Sequence, residues 1–523
     1  MKLTLCLLFT ALVVGLHAQP AHCDLFDETE AITLFAFDEL AIPFTENLRL
    51  EMRKPQRHPQ NPVVALGRSG EPDSWAVQFY GSVIREGEKF RMWYVAVGDE
   101  RLEGGVPRSS PWNVAYAEST DGVNWTKPDL GLVEYRGDTD NNLVRLEPKL
   151  GLVNVKVVKD EDDAEYPWKM GAHVWWPKNE RRLGTFVPYR SKDGLTWEAM
   201  IDFEPVGAEI MPEDMILDPL HFEPVGGFYK WDGVWFLSGQ NAMKTARPYH
   251  GRVARKYISP DLVNWHHASA IAYAHPDQLE ELGPGRSREG NQTHEGLSVW
   301  PRRNVLLGVG GLWYGGVEWK DVTIDLSLHY SHDGVFFKHP LHDWTFIERG
   351  EDGQWDQGGL LQGQGFENVG EQTYVYYGAW DPRNWRGSPP RGGVGIVTLP
   401  RDRFGSLKVD LRAEGPGDYQ MRDTQSTLLT SRVERDGAHR FHVNATGLSP
   451  DARLRLELLD GRSEPLPGFS GDHAATVTTN GFQTPVQWPS GADTTDLPDS
   501  IRVKAHFEGP DKTDIRLHAI YIR

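Results

Sequence analysis

The chain has 523 residues, which is enough for more than one domain and a large core. Its formal net charge of -19 argues against nucleic acid and anionic membranes as partners. Its 19 Trp residues are many, and aromatic faces suit sugar rings, although packing inside the fold would also use them.

The chain begins with the pattern of a secretory signal peptide, predicted over residues 1–18. Lys2 precedes an apolar run, and the small residue Ala18 ends it, although Leu16 makes the cleavage motif imperfect. No later run is long and apolar enough to span a membrane. Cleavage after Ala18 would leave Cys23 as the remaining cysteine, so no internal disulfide is expected. We therefore predict a secreted or periplasmic protein that is stabilised by packing.

One short phrase recurs along the chain at nearly even spacing. It reads S-T-D-G-V-N-W, S-K-D-G-L-T-W, S-P-D-L-V-N-W and S-H-D-G-V-F-F, and R-D-R-F-G-S-L is a degenerate fifth copy. The central Asp residues are Asp121, Asp193, Asp261, Asp333 and Asp402. Asp-Gly favours the corner of a type I′ hairpin, because both central residues of that turn need positive φ. The phrase therefore predicts five repeated units, each with a structural Asp in a turn and an aromatic residue packed after it.

Alternating apolar runs precede the phrase in each unit. Examples are residues 82–96 and 113–119 in the first unit and 227–239 and 252–259 in the third. Period-2 runs joined by Gly or Asp-Gly turns indicate an antiparallel meander. About four strands in each sequence repeat are typical of a β-propeller blade. We therefore predict an all-β protein with a five-bladed β-propeller.

The pattern changes after the fifth unit. Short alternating runs at 453–459, 501–507 and 515–523 are separated by turn residues, which favours a β-sandwich. Nothing there gathers ionisable and aromatic groups in one stretch, so we expect this domain to buttress the propeller. The predicted domains are the signal peptide, an N-terminal segment leading into the propeller, a catalytic propeller and an accessory β-sandwich, at 1–18, 19–59, 60–410 and 411–523.

The first strand of every propeller blade lines the central channel, so polar residues near its start converge on one funnel. The predicted strand starts lie at 73–81, 152–160, 221–230, 291–300 and 355–367. The polar residues that we expect to line the channel are Glu223, His294, Glu295, Asp356, Gln362 and Gln364. An acidic, amide-rich funnel suits a polyol substrate.

The five repeats, the S-x-D-x-x-x-W phrases and the signal peptide resemble the five-bladed propeller glycoside hydrolases of families 32, 43 and 68 and their relatives. The resemblance covers roughly residues 60–410. Its most specific point is E-G-L-S-V-W-P-R-R-N at 295–304, which matches the E-G-P-x-L-Y-x-x-x-G pattern that carries the general acid in family 43. E-P-V-G-G-F-Y-K at 223–230 is a looser second match, one residue longer.

The chain also departs from these families. Family 32 takes its nucleophile from an N-D-P-N-G motif before the first inner strand, but Gln78 stands where that Asp is expected, and Asp73 is out of register. The Arg-Asp-Pro motif of the second blade is absent, because D-E-D-D at 160–163 falls in a predicted hairpin turn. The catalytic residues have therefore either moved to other blades or been lost.

Glycoside cleavage needs one carboxylic acid to protonate the leaving oxygen and one carboxylate as base or nucleophile. On adjacent predicted blades, Glu223 and Glu295 could form such a pair. We predict Glu295 as the acid, with Glu223 or Asp356 as the base or nucleophile. The alternative is that Glu223 or Asp356 only binds sugar hydroxyls.

Further residues are predicted to bind substrate. They are His294, Gln362, Gln364, Trp75, Asp73, Gln78 and Asp325, and Trp313 and Trp380 could also stack on a sugar. Asp325 interrupts an apolar strand, so it is either paired or directed at a polar site. His294 has no partner at metal-ligand spacing, so no metal site is predicted. A structural calcium in the acidic run at 160–165 would be possible, but its ligand spacing does not support one.

The sequence thus predicts a secreted glycoside hydrolase acting on an oligo- or polysaccharide without a cofactor. Two alternatives remain open at this point. The missing first-blade Asp favours a glycan-binding propeller without catalysis. A glycoside phosphorylase of the family 130 type would need basic groups at the channel, which Lys156, Arg91 or Arg190 could supply if they face inward. A requirement for inorganic phosphate would distinguish the phosphorylase.

Overall fold

The computed structural model describes residues 25–99, 112–178, 181–207, 209–217, 223–242, 249, 251–279, 289–384, 391–410 and 425–523. The predicted signal peptide and Cys23 lie outside these ranges. The regular structure described is strand and short 3-10 helix, so the predicted all-β class is confirmed. Within these ranges, no helix has the length and apolar character that crossing a membrane requires. The 3-10 helices are Glu28–Glu30, Pro212–Asp214, Pro276–Leu279, Trp319–Asp321, Pro382–Asn384, Gly471–His473, Thr494–Asp496 and Lys512–Asp514.

Five groups of strands follow one another along the chain, and each has one inner strand. The inner strands are Ala76–Glu86, Leu152–Lys159, Gly227–Trp231, Gly290–Pro301 and Leu360–Val369. Each inner strand contacts the next one along the chain, and the fifth pairs in parallel with the first, so those two groups share one sheet. The five groups therefore close into a ring, which is the arrangement of the predicted five-bladed propeller. We number them blades 1 to 5 in chain order.

The remaining strands of each blade continue outward from the inner strand. Blade 1 has Lys89–Val97 and Asn113–Ser119, and blade 2 has Trp168–Lys178, Arg181–Ser191, Thr196–Ala199 and Arg145–Glu147. Blade 3 has Val234–Ala242, Arg252–Ser259 and Ala270–Tyr273, and blade 4 has Leu306–Gly315 and Thr323–Ser331. Blade 5 has Gln372–Ala379, Val394–Pro400 and Gln56–Arg57, and the short strand Arg391–Gly392 pairs with the blade 1 inner strand.

The outermost strand of blade 5 comes from the N-terminal side of blade 1. Gln56–Arg57 pairs antiparallel with Val394–Pro400. Main-chain hydrogen bonds thus join the two ends of the propeller sequence. We call Gln56–Arg57 the closing strand.

The recurring phrase forms one kind of turn in blades 1 to 4, but this turn differs from the predicted type I′ hairpin. In the first copy, Asp121 Oδ1 accepts hydrogen bonds from the main-chain N–H of Val123 at 2.8 Å and of Asn124 at 2.7 Å. Gly122 has a φ of +76°, whereas Asp121 is not among the residues with positive φ. A type I′ turn needs positive φ at both central residues. The Asp is therefore structural, as predicted, but it acts through its side chain.

The degenerate fifth copy does not form this turn. Asp402 is fully buried and accepts two parallel hydrogen bonds from Arg302, at 3.0 Å and 2.8 Å. Its carboxylate also accepts a hydrogen bond from the hydroxyl of Tyr521 at 3.1 Å. Since Tyr521 belongs to the C-terminal domain, this buried ion pair joins blades 4 and 5 to that domain.

Two six-stranded sheets form the C-terminal domain and pack around one apolar core. The first sheet contains Leu48–Met52, Gly405–Val409, Arg516–Ile522, Phe441–Thr446, Gly481–Pro485 and Ile32–Phe35. The second contains Phe44–Glu46, Thr427–Leu429, Ser500–Glu508, Arg453–Asp460, Ala475–Val477 and Val433–Glu434. This is a β-sandwich, and it includes three strands from residues 32–52. The segment expected to lead into the propeller is therefore largely part of the sandwich, because its strands pair with partners far along the chain.

A second buried polar network fixes the N-terminal segment at the junction of the two domains. Arg401 donates to both carboxylate oxygens of Glu28, at 2.7 Å and 2.6 Å. Gln483 of the sandwich donates to the same carboxylate at 2.6 Å. Glu28 is fully buried, so these partners compensate its loss of solvation.

Substitution of Asp402 should test how far the junction stabilises the protein. We expect Asp402→Asn to lower the free energy of unfolding by roughly 3–5 kcal/mol, because the Arg302 charge stays buried without its counter-charge. Asn tolerates the left-handed backbone of this position, where φ is +58°. Urea unfolding followed by tryptophan fluorescence measures the change.

The matched control is Asp352→Asn, which removes the same charge from an exposed ion pair with Arg383. Exposed pairs contribute about 0–1 kcal/mol, so this variant should unfold close to the wild-type midpoint. Equal effects of the two substitutions would contradict a stabilising role for the buried pair.

Candidate active site

Both predicted glutamates occupy unusual backbone conformations next to inner strands. Glu295 has a φ of +56° and Glu223 a φ of +73°. In blade 4 the pairing register shifts between His294 and Leu297, so Glu295 sits in a β-bulge of the inner strand. Bulges redirect side chains, and left-handed non-glycine residues are concentrated at functional sites. The backbone conformation of these two glutamates is therefore typical of residues in functional sites.

The fold brings the two glutamates together. One carboxylate oxygen of Glu223, one of Glu295 and one ring nitrogen of His294 all lie within 4.8 Å of one another. The two carboxyl groups interact directly, and this interaction contributes to the pKa shifts of both. Three such groups could also hold a metal ion. Glu295 is buried and Glu223 is half-buried.

Gln240 holds both glutamates in place. Its side-chain amide donates to the Glu223 carboxylate, and its side-chain oxygen accepts from the main-chain N–H of Glu295 at 2.9 Å. Its own main-chain N–H donates to the Glu223 carbonyl at 3.0 Å. The sequence analysis missed Gln240. The available signal was a buried amide at the end of the apolar strand V-W-F-L-S-G-Q.

The Glu295 carboxylate is surrounded by donors from other blades. Asn154 of blade 2 donates to Glu295 Oε2 at 3.0 Å, and the hydroxyl of Tyr80 in blade 1 bonds to the same carboxyl group. The buried Lys156 side chain donates to the carbonyls of Tyr80 and Gln362 and acts electrostatically on Glu295, and burial lowers the pKa of Lys156 to about 7. Asn154 and Lys156 alternate with Val in L-V-N-V-K-V-V, which was a signal that both side chains point the same way.

These surroundings shift the pKa values of the two carboxyl groups by different amounts. Burial raises the pKa of Glu295 to about 7, and hydrogen bonds from Tyr80, Glu223 and Asn154 together with the Lys156 charge limit the rise. Burial and the neighbouring Glu295 raise the pKa of Glu223 well above its ordinary value. Both pKa values are therefore raised, and the donors around Glu295 are those that stabilise a carboxylate.

His294 is held in a stack of aromatic rings. Its ring centroid lies 5.5 Å from that of Trp313 and 5.9 Å from that of Trp380, with interplanar angles of 28° and 18°. Burial and the Arg252 charge lower the pKa of His294 well below its ordinary value, so the imidazole is neutral. The two Trp rings, predicted to stack on sugar, thus orient His294 beside the glutamates.

The amides predicted to bind substrate support the main chain. Gln362 donates to the carbonyls of His294 at 2.7 Å and Gly296 at 3.2 Å, so it holds the bulge around Glu295. Gln364 bonds to the main-chain N–H and carbonyl of Phe228, at 3.1 Å and 2.6 Å, and so links blade 5 to blade 3. The contacts of Gln362 and Gln364 therefore indicate positioning of the backbone. Gln78 is buried beside a bulge in the blade 1 inner strand.

Asp356 is not brought to the glutamate pair. It lies in an ion pair with Arg57 of the closing strand at 3.1 Å and accepts a hydrogen bond from the Tyr377 hydroxyl at 2.9 Å. Both carboxylate contacts lie within blade 5. Through these contacts Asp356 holds the closing strand, and its predicted role as base or nucleophile stays a prediction.

Two other predicted carboxylates are also engaged elsewhere. Asp73 pairs with Lys127 at 2.6 Å and accepts from the Tyr94 hydroxyl at 2.7 Å. Asp325 pairs with Arg349 at 2.8 Å, which agrees with the expectation that it is paired. The predicted Trp75 is buried in the apolar core shared by blades 1 and 2. These contacts hold the fold together and do not point to substrate.

Of the three basic residues considered for phosphate, only Lys156 faces the axis. Arg91 donates to the Asp193 carbonyl and lies 4.4 Å from the Trp168 ring centroid. Arg190 pairs with the exposed Glu198 at 2.7 Å. A basic residue that the sequence analysis missed, Arg252, lies 4.1 Å from the Trp313 ring centroid and acts electrostatically on Glu223.

No family model matches the chain, so its resemblance to glycoside hydrolase families 32, 43 and 68 stays a prediction. Among curated proteins, it is 29% identical over 179 residues to the uncharacterized protein Rv1502 of Mycobacterium tuberculosis strain ATCC 25618 / H37Rv, with 33% of this chain and 51% of that protein covered. The uncharacterized protein MT1551 of strain CDC 1551 / Oshkosh matches equally far. The chain thus spans about half the length of the curated relatives it matches.

Solved structures that match the chain include a glycosyl hydrolase from Bacteroides ovatus, at 14% identity and a TM-score of 0.40, covering 68% of this chain and 95% of that one. An N-acetylgalactosamine deacetylase from F. plautii has 16% identity and a TM-score of 0.40, covering 68% and 96%. A third, from work on glycoside hydrolases within the GH130 family of mannoside phosphorylases, has 13% identity and a TM-score of 0.41, covering 70% and 96%. These names describe those proteins, and the function of this chain has to rest on its own residues.

The raised pKa of Glu295 should make stability depend on pH. Between its ordinary value of 4.5 and about 7, the folded protein binds more protons than the unfolded chain, so the free energy of unfolding falls as pH rises through this window. Glu295→Gln removes that contribution. We expect the variant to match the wild type at pH 4.5 and to be more stable at pH 7.5, by up to roughly 3 kcal/mol.

Urea unfolding of both proteins at several pH values measures this difference. Glu367→Gln should behave in the same direction, because burial also raises the pKa of Glu367 to about 7. A stability difference between wild type and Glu295→Gln that does not change with pH would contradict the raised pKa.

Proposed function

We propose that the protein is a glycoside hydrolase that cleaves an O-glycosidic bond in an oligo- or polysaccharide, with Glu223 and Glu295 as its reacting carboxyl groups. The observation that carries the proposal is the meeting of the two carboxyls within 4.8 Å at the propeller axis. They come from different blades and have differently raised pKa values, as an acid and a carboxylate acting on one bond require. The signal-peptide pattern supports secretion as part of the proposal.

The surroundings of the pair favour the reverse of the roles predicted from sequence. Glu295, predicted as the acid, has the donors Asn154 and Tyr80 and the nearby Lys156 charge, all of which stabilise a carboxylate. Glu223 keeps the proton and is the more exposed of the two. We therefore assign Glu223 as the general acid and Glu295 as the nucleophile.

The spacing of the pair favours retention of anomeric configuration. Inverting enzymes keep their carboxyl groups roughly 6.5–9.5 Å apart to admit a water molecule, whereas retaining enzymes need about 5–5.5 Å. One oxygen of Glu223 lies within 4.8 Å of one oxygen of Glu295, which is closer to the second arrangement. In the first step, the Glu295 carboxylate attacks the anomeric carbon while Glu223 gives its proton to the leaving oxygen. In the second, Glu223 takes a proton from water, and the resulting hydroxide displaces Glu295.

The neighbouring residues position this chemistry. Gln240 fixes Glu223 through its carboxylate and Glu295 through its main-chain N–H, and Gln362 holds the bulge that directs Glu295. The neutral His294 has a ring nitrogen within 4.8 Å of both carboxyl groups, where it can bond to a sugar hydroxyl. These contacts hold the pair at the geometry that a two-step displacement needs.

Removal of either carboxyl should abolish most of the activity. We expect Glu223→Gln and Glu295→Gln each to lower kcat/KM by about 10²–10⁴-fold, since each removes one of the two proton-transfer or nucleophilic functions. Release of reducing ends from a panel of plant, algal and bacterial polysaccharides measures the activity. Glu367→Gln is the matched control, because this glutamate lies on an inner strand five residues beyond Gln362. Full activity in Glu295→Gln would refute the proposal and favour a glycan-binding propeller.

The two roles can be separated with an aryl glycoside of the same sugar. A nitrophenolate leaves without protonation, so Glu223→Gln should retain much of its activity on this substrate, whereas Glu295→Gln should not. Proton NMR of the first product formed should show the configuration of the substrate. The opposite pattern in the two variants would restore the assignment predicted from sequence, and an inverted first product would exclude Glu295 as nucleophile.

A phosphorylase is the second candidate, because two basic groups adjoin the pair. Arg252 acts electrostatically on Glu223 and His294, and Lys156 acts on Glu295. Lys156 already donates to two carbonyls, which limits its capacity to bind phosphate. Product formation that requires inorganic phosphate and yields a sugar phosphate would favour this candidate over hydrolysis.

A further inference from the structure

Three basic side chains are gathered where blade 3 meets blade 4. Lys256 belongs to the third strand of blade 3, Arg252–Ser259, and His329 to the third strand of blade 4, Thr323–Ser331. His339 lies in the connection that follows blade 4, and its ring is stacked on that of His329 with the centroids 5.2 Å apart. We call Lys256, His329 and His339 the basic cluster.

The amine of Lys256 is buried without a polar partner. Within the described residues, its Nζ has no hydrogen-bond partner and the side chain forms no ion pair. Nζ lies 4.7 Å from the ring centroid of Tyr229 and 4.5 Å from that of Phe337. Aromatic faces attract a cation, but they replace only part of the hydration that an ammonium group loses on burial. The contact between the blades thus already contains one basic group that is costly to charge.

The hydrogen bonds of His329 determine which of its ring nitrogens carries a hydrogen. Ser327 Oγ lies 2.6 Å from His329 Nε2 and donates its own hydrogen to the carbonyl of Gly310 at 3.2 Å. The hydroxyl oxygen therefore accepts from Nε2, which leaves Nδ1 unprotonated in the neutral ring. Nδ1 is buried and has no partner among the described residues. A second proton on this ring has to go to Nδ1, where the new N–H finds no acceptor.

His339 is arranged in the same way. Its Nε2 lies 2.9 Å from the carbonyl oxygen of Trp344, and a carbonyl can only accept, so Nε2 carries the hydrogen. Its Nδ1 is also buried, and no described residue bonds to it. Protonation of either imidazole therefore buries a charge together with an unpaired N–H, which is unfavourable.

The other groups that face the two rings do not offset this cost. Tyr273 of blade 3 packs edge-on against His329, with the centroids 4.5 Å apart, and its hydroxyl is uncharged near neutral pH. Further ionisable side chains act on His339, and they are His275, His342 and Asp343. The carboxylate of Asp343 is 64% exposed, so water screens its attraction for a buried imidazolium.

The pKa values agree with this geometry. Burial, the neighbouring His339 and Lys256 hold the pKa of His329 well below its ordinary value of 6.5. Burial is also the main reason why the pKa of His339 falls to about 4. Between pH 6.5 and about 4, an opened cluster therefore binds more protons than a closed one. The closed packing loses stability as pH falls through this window.

We propose that the basic cluster is an acid-sensitive switch, in which protonation of His329 and His339 loosens the packing of blade 3 against blade 4. Glu223 directly precedes the inner strand of blade 3, and Glu295 lies in that of blade 4. Gln240 of blade 3 accepts a hydrogen bond from the main chain of Glu295, so the contact between these blades also holds the pair. Loosening it disturbs the pair at low pH. That consequence rests on the proposed function, whereas the loosening itself does not.

Hydrogen exchange of the full chain at pH 7.5 and pH 5.0, followed by mass spectrometry, tests the proposal. With a pKa of about 4 in the closed form and 6.5 in the opened form, His339 alone increases the opening equilibrium roughly 30-fold between these pH values, and His329 adds to this. After correction for the intrinsic pH dependence of exchange, Arg252–Ser259 and Thr323–Ser331 should lose at least that much protection in the wild type. Equal protection at both pH values would overturn the proposal.

Substitutions show whether the two rings cause the loss. Gln takes up no proton in this range, so the double variant His329→Gln and His339→Gln should abolish most of the difference between pH 7.5 and pH 5.0. Two control variants should keep the full difference in blades 3 and 4. They are His173→Gln, which replaces a buried histidine of blade 2, and His266→Gln, which replaces an exposed one.

Lys256→Met provides a second variant that leaves both rings in place. It removes the like charge near His329, so it should lessen the loss of protection at pH 5.0. Near-UV circular dichroism at pH 7.5 shows which variants fold. An undiminished difference in the folded double variant, or in Lys256→Met if the double variant does not fold, would overturn the proposal. Because none of these measurements uses a substrate, failure of the proposed function would leave their outcome unchanged.

Discussion

The closed packing of five inner strands around one axis is the constraint on which the candidate active site depends. It places Glu223 and Glu295, from adjacent blades, where both carboxyl groups lose water and repel each other, so they cannot both be ionised. The same ring directs Asn154 and Tyr80 at Glu295 alone. The difference in acidity between two chemically identical side chains thus follows from the positions of neighbouring strands.

The backbone of both glutamates is strained, and residues of the surrounding strands compensate for this strain. A left-handed conformation at a non-glycine residue costs of order 1–3 kcal/mol, and both glutamates have one. Gln240 and Gln362 compensate with hydrogen bonds to the strained segments. Gln240 lies on the second strand of blade 3 and Gln362 on the inner strand of blade 5, so the support comes from strands distant along the chain.

Several ionisable residues serve the closure of the fold and take no part in the site. Asp356 holds Arg57 of the closing strand. The buried pair of Arg302 and Asp402 joins blades 4 and 5 to the sandwich through Tyr521. The sequence does not distinguish one carboxylate near the start of a strand from another. In the folded protein, Asp356 and Asp402 each form an ion pair with an arginine. Within the described residues, Glu223 and Glu295 are two carboxyls that adjoin each other and His294.

The sequence by itself determined the all-β class, the repeating turn, the five blades and the two glutamates worth considering, because alternation and turn chemistry are local properties of the chain. Tertiary structure alone decided which carboxylates meet. Asp356 and Glu295 carry the same sequence signal, but Arg57 pairs with Asp356 from 299 residues away, and no local pattern reveals such a partner. It also decided that residues 32–52 complete the sandwich and that Glu223 lies beside Glu295, because long-range pairing and burial exist only once the chain has folded.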